Sequence, residues 1–417
     1  MKMNKLTVAI IISMLLGIVA GQGVRWLDPV QAATFAANIT LLTDIFLRLI
    51  KMIIAPLVFT TLTVGIAKMG DSRTVGRVGI KTLGWFMMAS LLSLTLGLVM
   101  VHLLSPGVGL NLALPDGTAT SGISAGAISL KDFITHAIPK SVVEAMATNE
   151  ILQIVVFSLF FGLAAAAIGD HAKPVVMVMS SAADIMLKVT GYVMNFAPFA
   201  VFAAISAMVA REGLGILTTY GTFMSQFYLS LGSLWLLLIG LGSLFLGRRI
   251  TVLLRMIREP ILLAFSTASS ESAYPKTLQR LEEFGCSKRI ASFVLPMGYS
   301  FNLDGSMMYC TFAVMFIAQA YGIELSWGQQ ITMLLLLMVT SKGMAGVPRA
   351  SLVVIAATLN QFQIPEAGIL LLLGIDHFLD MGRSATNVLG NAIAASVVSK
   401  SEGVLQEEGE VALQEAA

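Results

Sequence analysis

Three stretches of this chain, residues 82–104, 151–168 and 216–246, contain no Asp, Glu, Lys or Arg. A helix needs about 20 mostly apolar residues to cross a bilayer, and only helices or closed barrels satisfy their own backbone polar groups there. The chain is therefore read as a helical membrane protein. Composition agrees: 12% of the 417 residues are charged and 56% are apolar, whereas a soluble domain carries roughly 25% charged residues. A soluble globule is excluded. The net charge of +2 is too small to point to nucleic acid. Cys286 and Cys310 are the only cysteines, which rules out a disulfide framework and a four-thiolate zinc site.

Six spans are expected near residues 6–24, 39–67, 82–104, 151–168, 185–210 and 216–246. The first follows Lys2 and Lys5 and reads as an anchor rather than a cleaved signal, because no small-residue cleavage site follows it. Lys68, Arg73, Arg77 and Lys81 follow the second span, and Arg248, Arg249, Arg255 and Arg258 follow the sixth. Only Arg25 follows the first and Arg211 the fifth. The positive-inside rule then places the N-terminus in the cytoplasm and residues 106–148, with a helical segment near 130–146, outside. The end of the chain from Ser399, with Glu402, Glu407, Glu408, Glu410 and Glu415, reads as a disordered cytoplasmic tail.

Beyond Glu259 the pattern changes. Residues 260–284 and 330–359 each have two arms too short to span, since about ten helical residues rise only about 15 Å. The first pair meets at Ser266, Thr267, Ser269, Ser270, Glu271 and Ser272. The second meets at Ser341-Lys342-Gly343-Met344-Ala345-Gly346-Val347-Pro348-Arg349. Full spans, 290–321 and 367–398, follow each of them. The order hairpin, helix, hairpin, helix reads as an inverted repeat with one re-entrant hairpin from each side, and paired broken segments of this kind point to a transport site. Surface hairpins lying outside the bilayer are the plainer alternative.

Asp376, Asp380, Arg383 and Asn387 recur at helical spacing and fall within about 60° of one another around the last span. Charges at membrane depth face a cavity or a partner, so this stripe looks inward. A structural Asp380–Arg383 ion pair is the alternative. The seventh span carries Asn302-Leu303-Asp304-Gly305-Ser306 with Gly298 one turn earlier, a sequence that breaks a helix and exposes carbonyls beside a carboxylate. Hard oxygen ligands of that kind suit a small cation; a glycine kink is the alternative. Serine hydroxyls and amide N–H groups at the first hairpin tip suit an anionic group, though they also serve as ordinary caps.

The runs Ser269-Ser270-Glu271-Ser272, Asn302-Leu303-Asp304-Gly305-Ser306, 341–348, and Asp376 to Arg383 leading to Asn387-Val388-Leu389-Gly390-Asn391 together resemble the dicarboxylate/amino acid:cation symporters. The resemblance covers nearly the whole chain, including residues 51–59. It implies that Arg383 binds the substrate's side-chain carboxylate, Asp380 its ammonium and Asn387 its α-carboxylate. Ser269, Ser270, Ser306, Ser384 and the backbone of Gly346, Val347 and Pro348 complete that pocket. It also implies cation or proton coupling through Gly298, Asn302, Asp304, Asp376, Asn387, Asn391 and Glu271, with a sodium ion possible at Asn302, Asp304 and Asp376. No cofactor is implied beyond the coupling ion, H+ or Na+. In the family pattern, carriers of four-carbon dicarboxylates lack an acid at the Asp380 position, so Asp380 favours an acidic amino acid.

The sequence departs from sodium-coupled members at Phe86, Ala89 and Asn391, where these carry Tyr, Thr and Asp. Cys310 stands where animal glutamate transporters have a protonatable Glu, and Ala268 where an archaeal aspartate transporter has Arg; Arg349 is the candidate replacement. The pattern is closer to bacterial proton/glutamate symporters. The expected architecture is all-α, with eight transmembrane helices, two re-entrant hairpins and an inner-membrane homotrimer. Residues 1–75 and 106–214 would hold scaffold helices, 76–105 and 215–400 a mobile transport unit, and 401–417 a disordered acidic tail. The implied function is uptake of glutamate or aspartate with protons favoured over sodium, by an elevator mechanism. A dicarboxylate symporter is the nearest rival. An intramembrane hydrolase using Ser270 is disfavoured, because no nucleophile elbow is present and two Asp four apart on one helix cannot face each other across a substrate.

Overall fold

The computed structural model describes residues 5–67, 72–108, 137–214, 220–341, 350–373 and 375–406, and among them every regular element is helical. The first three helices are α1 (Lys5–Leu27), α2 (Pro29–Ala67) and α3 (Ser72–Leu104). Next come α4 (Val142–Thr148), α5 (Ile151–Ile168), α6 (Lys173–Met194), α7 (Ala197–Glu212) and α8 (Gly221–Leu246). The second half holds α9 (Arg249–Met256), α10 (Arg258–Thr267), α11 (Tyr274–Glu283), α12 (Lys288–Phe301), α13 (Asp304–Ala320), α14 (Trp327–Thr340), α15 (Ala350–Gln361), α16 (Leu370–Leu373) and α17 (Asp376–Ser401). Among the described residues, six helical segments are long and apolar enough to cross a membrane, which is consistent with a membrane protein.

Two packing groups emerge. α2 lies against α5, α6 and α7, and α1 against α7. The α1–α7 contact is a small-residue seam: Gly17 and Gly21 sit so close to α7 that a Cβ would meet Phe202 O at 2.9 Å and Ser206 O at 2.5 Å. Without hydrophobic drive between helices in lipid, such close backbone approach is what holds them. Arg25 closes the seam, its Nη1 donating to the Ala210 carbonyl at 3.0 Å. In the second group, α17 is ringed by α8, α10, α12, α13, α11 and α3. Its residues from Phe378 to Ser399 are all buried, so the polar stripe has no route to lipid. α12 also packs on α2, and α10 on α7.

Several expected boundaries move. The fifth span, expected as one helix over 185–210, is two, because the chain breaks at Asn195 and Phe196 before Pro198 in the first turn of α7; Pro has no N–H to continue a helix. The last span, expected over 367–398, begins as a 3₁₀ turn at Glu366–Ile369 and becomes one long helix only at Asp376. Of the helix expected near 130–146, the described part is α4. The seventh span is broken where Asn302 and Asp304 stand: α12 ends at Phe301 and α13 starts at Asp304.

The tail also differs at its root. α17 runs to Ser401, and Glu402 accepts from Arg77 Nη2 at 2.8 Å and pairs with Lys81 Nζ at 2.6 Å. Lys81 also donates to the Ser401 carbonyl, and Gln406 N donates to Gly285 O at 2.9 Å. Sequence distance hid this: the acid looked solvated because its cations sit at the start of α3. Hydrogen bonds from Arg77, and then those from Lys81, hold the Glu402 carboxyl below its ordinary range. A depressed carboxylate contributes stability above its unfolded pKa and loses it as pH falls through the folded value. Glu402→Gln is therefore expected to lower the melting temperature at pH 7. The deficit should shrink as the pH drops below about 4.3, the ordinary carboxylate range. A deficit independent of pH in thermal melts would show that charge is not what Glu402 contributes.

Candidate functional site

The break between α12 and α13 creates the site. A helix start leaves N–H groups without partners, and no side chain of α13 caps its own start. Asn387 of α17 does it from across the interface: its Oδ1 accepts from Gly305 N at 2.9 Å and Ser306 N at 3.4 Å, while its Nδ2 donates to Ser306 Oγ at 3.2 Å. An amide nitrogen has two protons, so one donor of Asn387 is left for a ligand. The approach is tight because Gly305 lets α13 touch α17; a Cβ there would lie 2.6 Å from the Arg383 carbonyl.

One turn earlier on α17, Arg383 is wholly buried. Its Nη2 lies 2.9 Å from Asp380 Oδ1 and 3.2 Å from Asp376 Oδ1. Its guanidinium stacks on the Tyr309 ring of α13, 4.1 Å from the centroid, and the Tyr309 hydroxyl donates to the same Asp376 oxygen at 3.2 Å. Burying a charge costs several kcal/mol unless it is paired, and a desolvated cation–π contact adds about 2 kcal/mol. Even so, Arg383 Nε and Nη1 find no acceptor among the described residues. Two donors of a fixed planar fork are thus aimed at no described acceptor, which is the geometry a carboxylate fits.

A second polar cluster lies further along the same seam, toward the C-terminal end of α17. Asn302 Nδ2 donates to Asp304 Oδ2 at 3.0 Å and to Asn391 Oδ1 at 3.1 Å. Ser93 of α3 reaches Asp304 Oδ1 at 3.3 Å. Asn302, Asp304 and Asn391 are fully buried. Two glycines make the cluster possible, since a Cβ on Gly390 would collide with the Asp304 carboxylate and one on Gly298 with the Asn391 amide. Phe86 and Ala89 are also buried; neither side chain has an oxygen to offer a cation.

Helix α10, the expected first arm of a hairpin, packs along α17 and ends at Ala268 in the left-handed conformation, φ 49°. Ser269 N donates to Ala264 O and Ala268 N to Phe265 O, a helix stop that glycine usually provides and that costs another residue roughly 1–2 kcal/mol. Ser269 and Ser270 are buried beyond it, and the Ser270 hydroxyl makes no hydrogen bond among the described residues. Thr267 and Ser272 bond each other at 2.8 Å. Glu271 is half-buried in the following 3₁₀ turn. Ser384 is buried beside Arg383. Gly346, Val347, Pro348 and Arg349 lie outside the described residues.

The structure thus brings together Asp376, Asp380, Arg383, Asn387 and Ser306 in one group and Gly298, Asn302, Asp304 and Asn391 in another. Asp376 falls in the first group, joined to Arg383 and Tyr309, rather than beside Asn302 and Asp304. Tyr309 and Ser93 were not singled out from sequence. Tyr309 lies three residues past Ser306, on the same helical face, and Ser93 is a hydroxyl in a charge-free apolar span; those were the available signals.

Comparison with known proteins places these features in a lineage. The chain is 41% identical to a proton/sodium-glutamate symport protein of Bacillus caldotenax over 96% of this chain and 95% of that one. It is 37% identical to a C4-dicarboxylate transport protein of Bacillus subtilis (strain 168), over 98% and 96%. A C4-dicarboxylate transport protein of Laribacter hongkongensis (strain HLHK9) is 42% identical over 87% and 84%. The sodium:dicarboxylate symporter family profile matches residues 6–401. That match runs from the second residue of α1 to the end of α17, including the α12–α13 break and the buried stripe of α17, and the chain belongs to the sodium:dicarboxylate symporter family.

Proposed function

We propose that this protein is a secondary symporter that takes up acidic amino acids of the glutamate and aspartate class, coupled to cations with protons favoured over sodium. The observation that carries the substrate assignment is the Arg383 guanidinium, held by two carboxylates yet with Nε and Nη1 unsatisfied among the described residues. One cation between two anions leaves a local excess of negative charge. A ligand bearing both a carboxylate and an ammonium corrects both defects: its side-chain carboxylate takes the free edge of Arg383 and its ammonium takes Asp380. Asn387 contributes its spare N–H to the α-carboxylate, with Ser270, Ser306, Ser384 and residues 346–348 around it.

A four-carbon dicarboxylate is the second reading, favoured by relatives so named at similar identity. Such a dianion would bring a second carboxylate up against Asp380, and like charges in a dry site repel strongly. The acidic amino acid is therefore preferred.

For architecture we assign eight spans to α1, α2, α3, α5, α6 with α7, α8, α12 with α13, and α17, and two re-entrant hairpins to α10 with α11 and α14 with α15. The packing of α5, α6 and α7 on α2 and of α1 on α7 supports their role as a scaffold, which the rest of the chain meets through α12 on α2 and α10 on α7. The protomer is assigned to a bacterial inner-membrane homotrimer with both termini cytoplasmic. Asn302, Asp304 and Asn391 form the coupling cluster, with Glu271 and Asp376 as further proton carriers.

Arg383→Cys is expected to abolish uptake of glutamate and aspartate, at about 3–5 kcal/mol for an unpaired buried carboxylate, and succinate should compete poorly in the parent. Radiolabelled uptake in proteoliposomes checks both. Unchanged acidic amino acid uptake in the variant removes Arg383 from the site, and equal competition by succinate and aspartate moves the assignment to the dicarboxylate reading.

Coupling is tested with each gradient imposed alone. An inward proton gradient should drive accumulation and sodium should add little, because the buried Phe86 and Ala89 give a cation no side-chain oxygen and Asn391 gives no charge. Accumulation that requires sodium and ignores protons overturns this ion assignment.

A further inference from the structure

Beside the stripe, on the face of α17 that carries Gly382 and Ala385, lies a groove of about 340 Å³ lined by Met14 of α1, Leu231, Gly232 and Trp235 of α8, Phe265 of α10 and Ala385 of α17. Its polar atoms are spent inward: the Tyr228 hydroxyl donates to the Phe378 carbonyl at 2.6 Å, and Trp235 Nε1 donates to Thr386 Oγ1 at 2.8 Å. What remains toward the opening is ring faces and methyl groups. Leu15, Leu16, Leu229 and Leu236 on the neighbouring turns of α1 and α8 are 55–75% exposed, and both helices are long and apolar enough to cross a membrane. The groove therefore opens onto hydrocarbon.

We propose that this groove seats one acyl chain of a membrane phospholipid. The occupant follows from shape and chemistry. A helix, about 10 Å across, is too thick for a space of this volume, and a polar ligand would find no partner. A methylene chain matches the lining and fills contacts that a void forfeits. The floor of the seat is Gly382, Ala385 and Thr386, which flank Arg383 and Ser384 on the binding helix. The seat also bridges α1 to α8, α10 and α17. If the proposed scaffold and mobile unit are correct, a chain held by both must slide or leave at each transport stroke. That consequence rests on the proposed function; the seat itself does not.

Gly232 gives the test. A Cβ on Gly232 meets open space, and so does one on Gly240 of the same helix, outside the groove. In a background with Trp26→Phe, Trp85→Phe and Trp327→Phe, Trp235 is the sole tryptophan. Reconstituted into nanodiscs of phosphatidylcholine brominated along one chain, Trp235 fluorescence should be quenched. Gly232→Leu should cut that quenching at least about twofold, while Gly240→Leu should leave it unchanged. Gly232→Met, which fills the same space with a flexible chain, serves where the leucine variant does not accumulate. Absence of quenching in the parent background, or equal quenching in the Gly232 and Gly240 variants, overturns the seat. Uptake by the same variants is read separately: reduced quenching with unchanged uptake keeps the seat and removes its part in movement.

Discussion

A guanidinium that stays charged at any physiological pH is buried in the middle of this membrane protein, and much of the second half of the chain is arranged around that fact. Arg383 cannot shed its proton to lower the cost of burial, so the surroundings must carry the compensation. Asp380 supplies it from the same face of α17, Asp376 from two turns earlier, and Tyr309 from the facing helix, with its ring on the guanidinium and its hydroxyl on Asp376. Losing any one leaves a buried charge short of partners, a defect of several kcal/mol. Carboxylates hold Arg383 at one edge while Nε and Nη1 lack described acceptors, which is what supports the proposed capture of a substrate carboxylate there.

That arrangement depends on how closely α12 and α13 approach α17. Gly305 against the Arg383 backbone, Gly390 against Asp304 and Gly298 against Asn391 remove side chains at the three places where the helices carry polar groups. The polar groups then reach one another across the seam, while Asn302 Oδ1 and Asn391 Nδ2 find no hydrogen-bond partner among the described residues. Asn387 caps the start of α13, and Asn302 bridges Asp304 to Asn391. A larger residue at any of the three glycines would separate the helices and strand several buried donors and acceptors at once.

Much of this was legible in sequence, for identifiable reasons. The stripe on α17 follows from helical periodicity alone, and the break at Asn302 from three poor helix formers, Asn302, Asp304 and Gly305, within four residues of an apolar span. What escaped needed knowledge of which helix faces which. Tyr309 and Ser93 are ordinary residues of apolar helices until α13 is known to face Arg383 and α3 to face Asp304. The interruption at Asn195 was masked by apolar residues on both sides, with Pro198 as its one marker. Glu402 looked like tail because its partners, Arg77 and Lys81, are more than 300 residues away in the chain.

The two polar clusters share one structural element, and this gives the proposed coupling a physical route. Asn387 stands between them: it follows Arg383 by one turn on α17 and precedes Asn391 by one turn, while its amide is bonded to Gly305 and Ser306, the residues next to Asp304. A substrate α-carboxylate that draws on the Asn387 amide changes the cap on α13, and the first residue of α13 is the carboxylate that a proton or cation would neutralise. Conversely, neutralising Asp304 alters the charge at the helix start that Asn387 serves, where an acid is favoured by the helix dipole. Coupling between two binding events is reciprocal by thermodynamic necessity. A shared cap at the α12–α13 break is a compact way to supply it, because neither ligand needs to touch the other for each to feel whether its neighbour is bound.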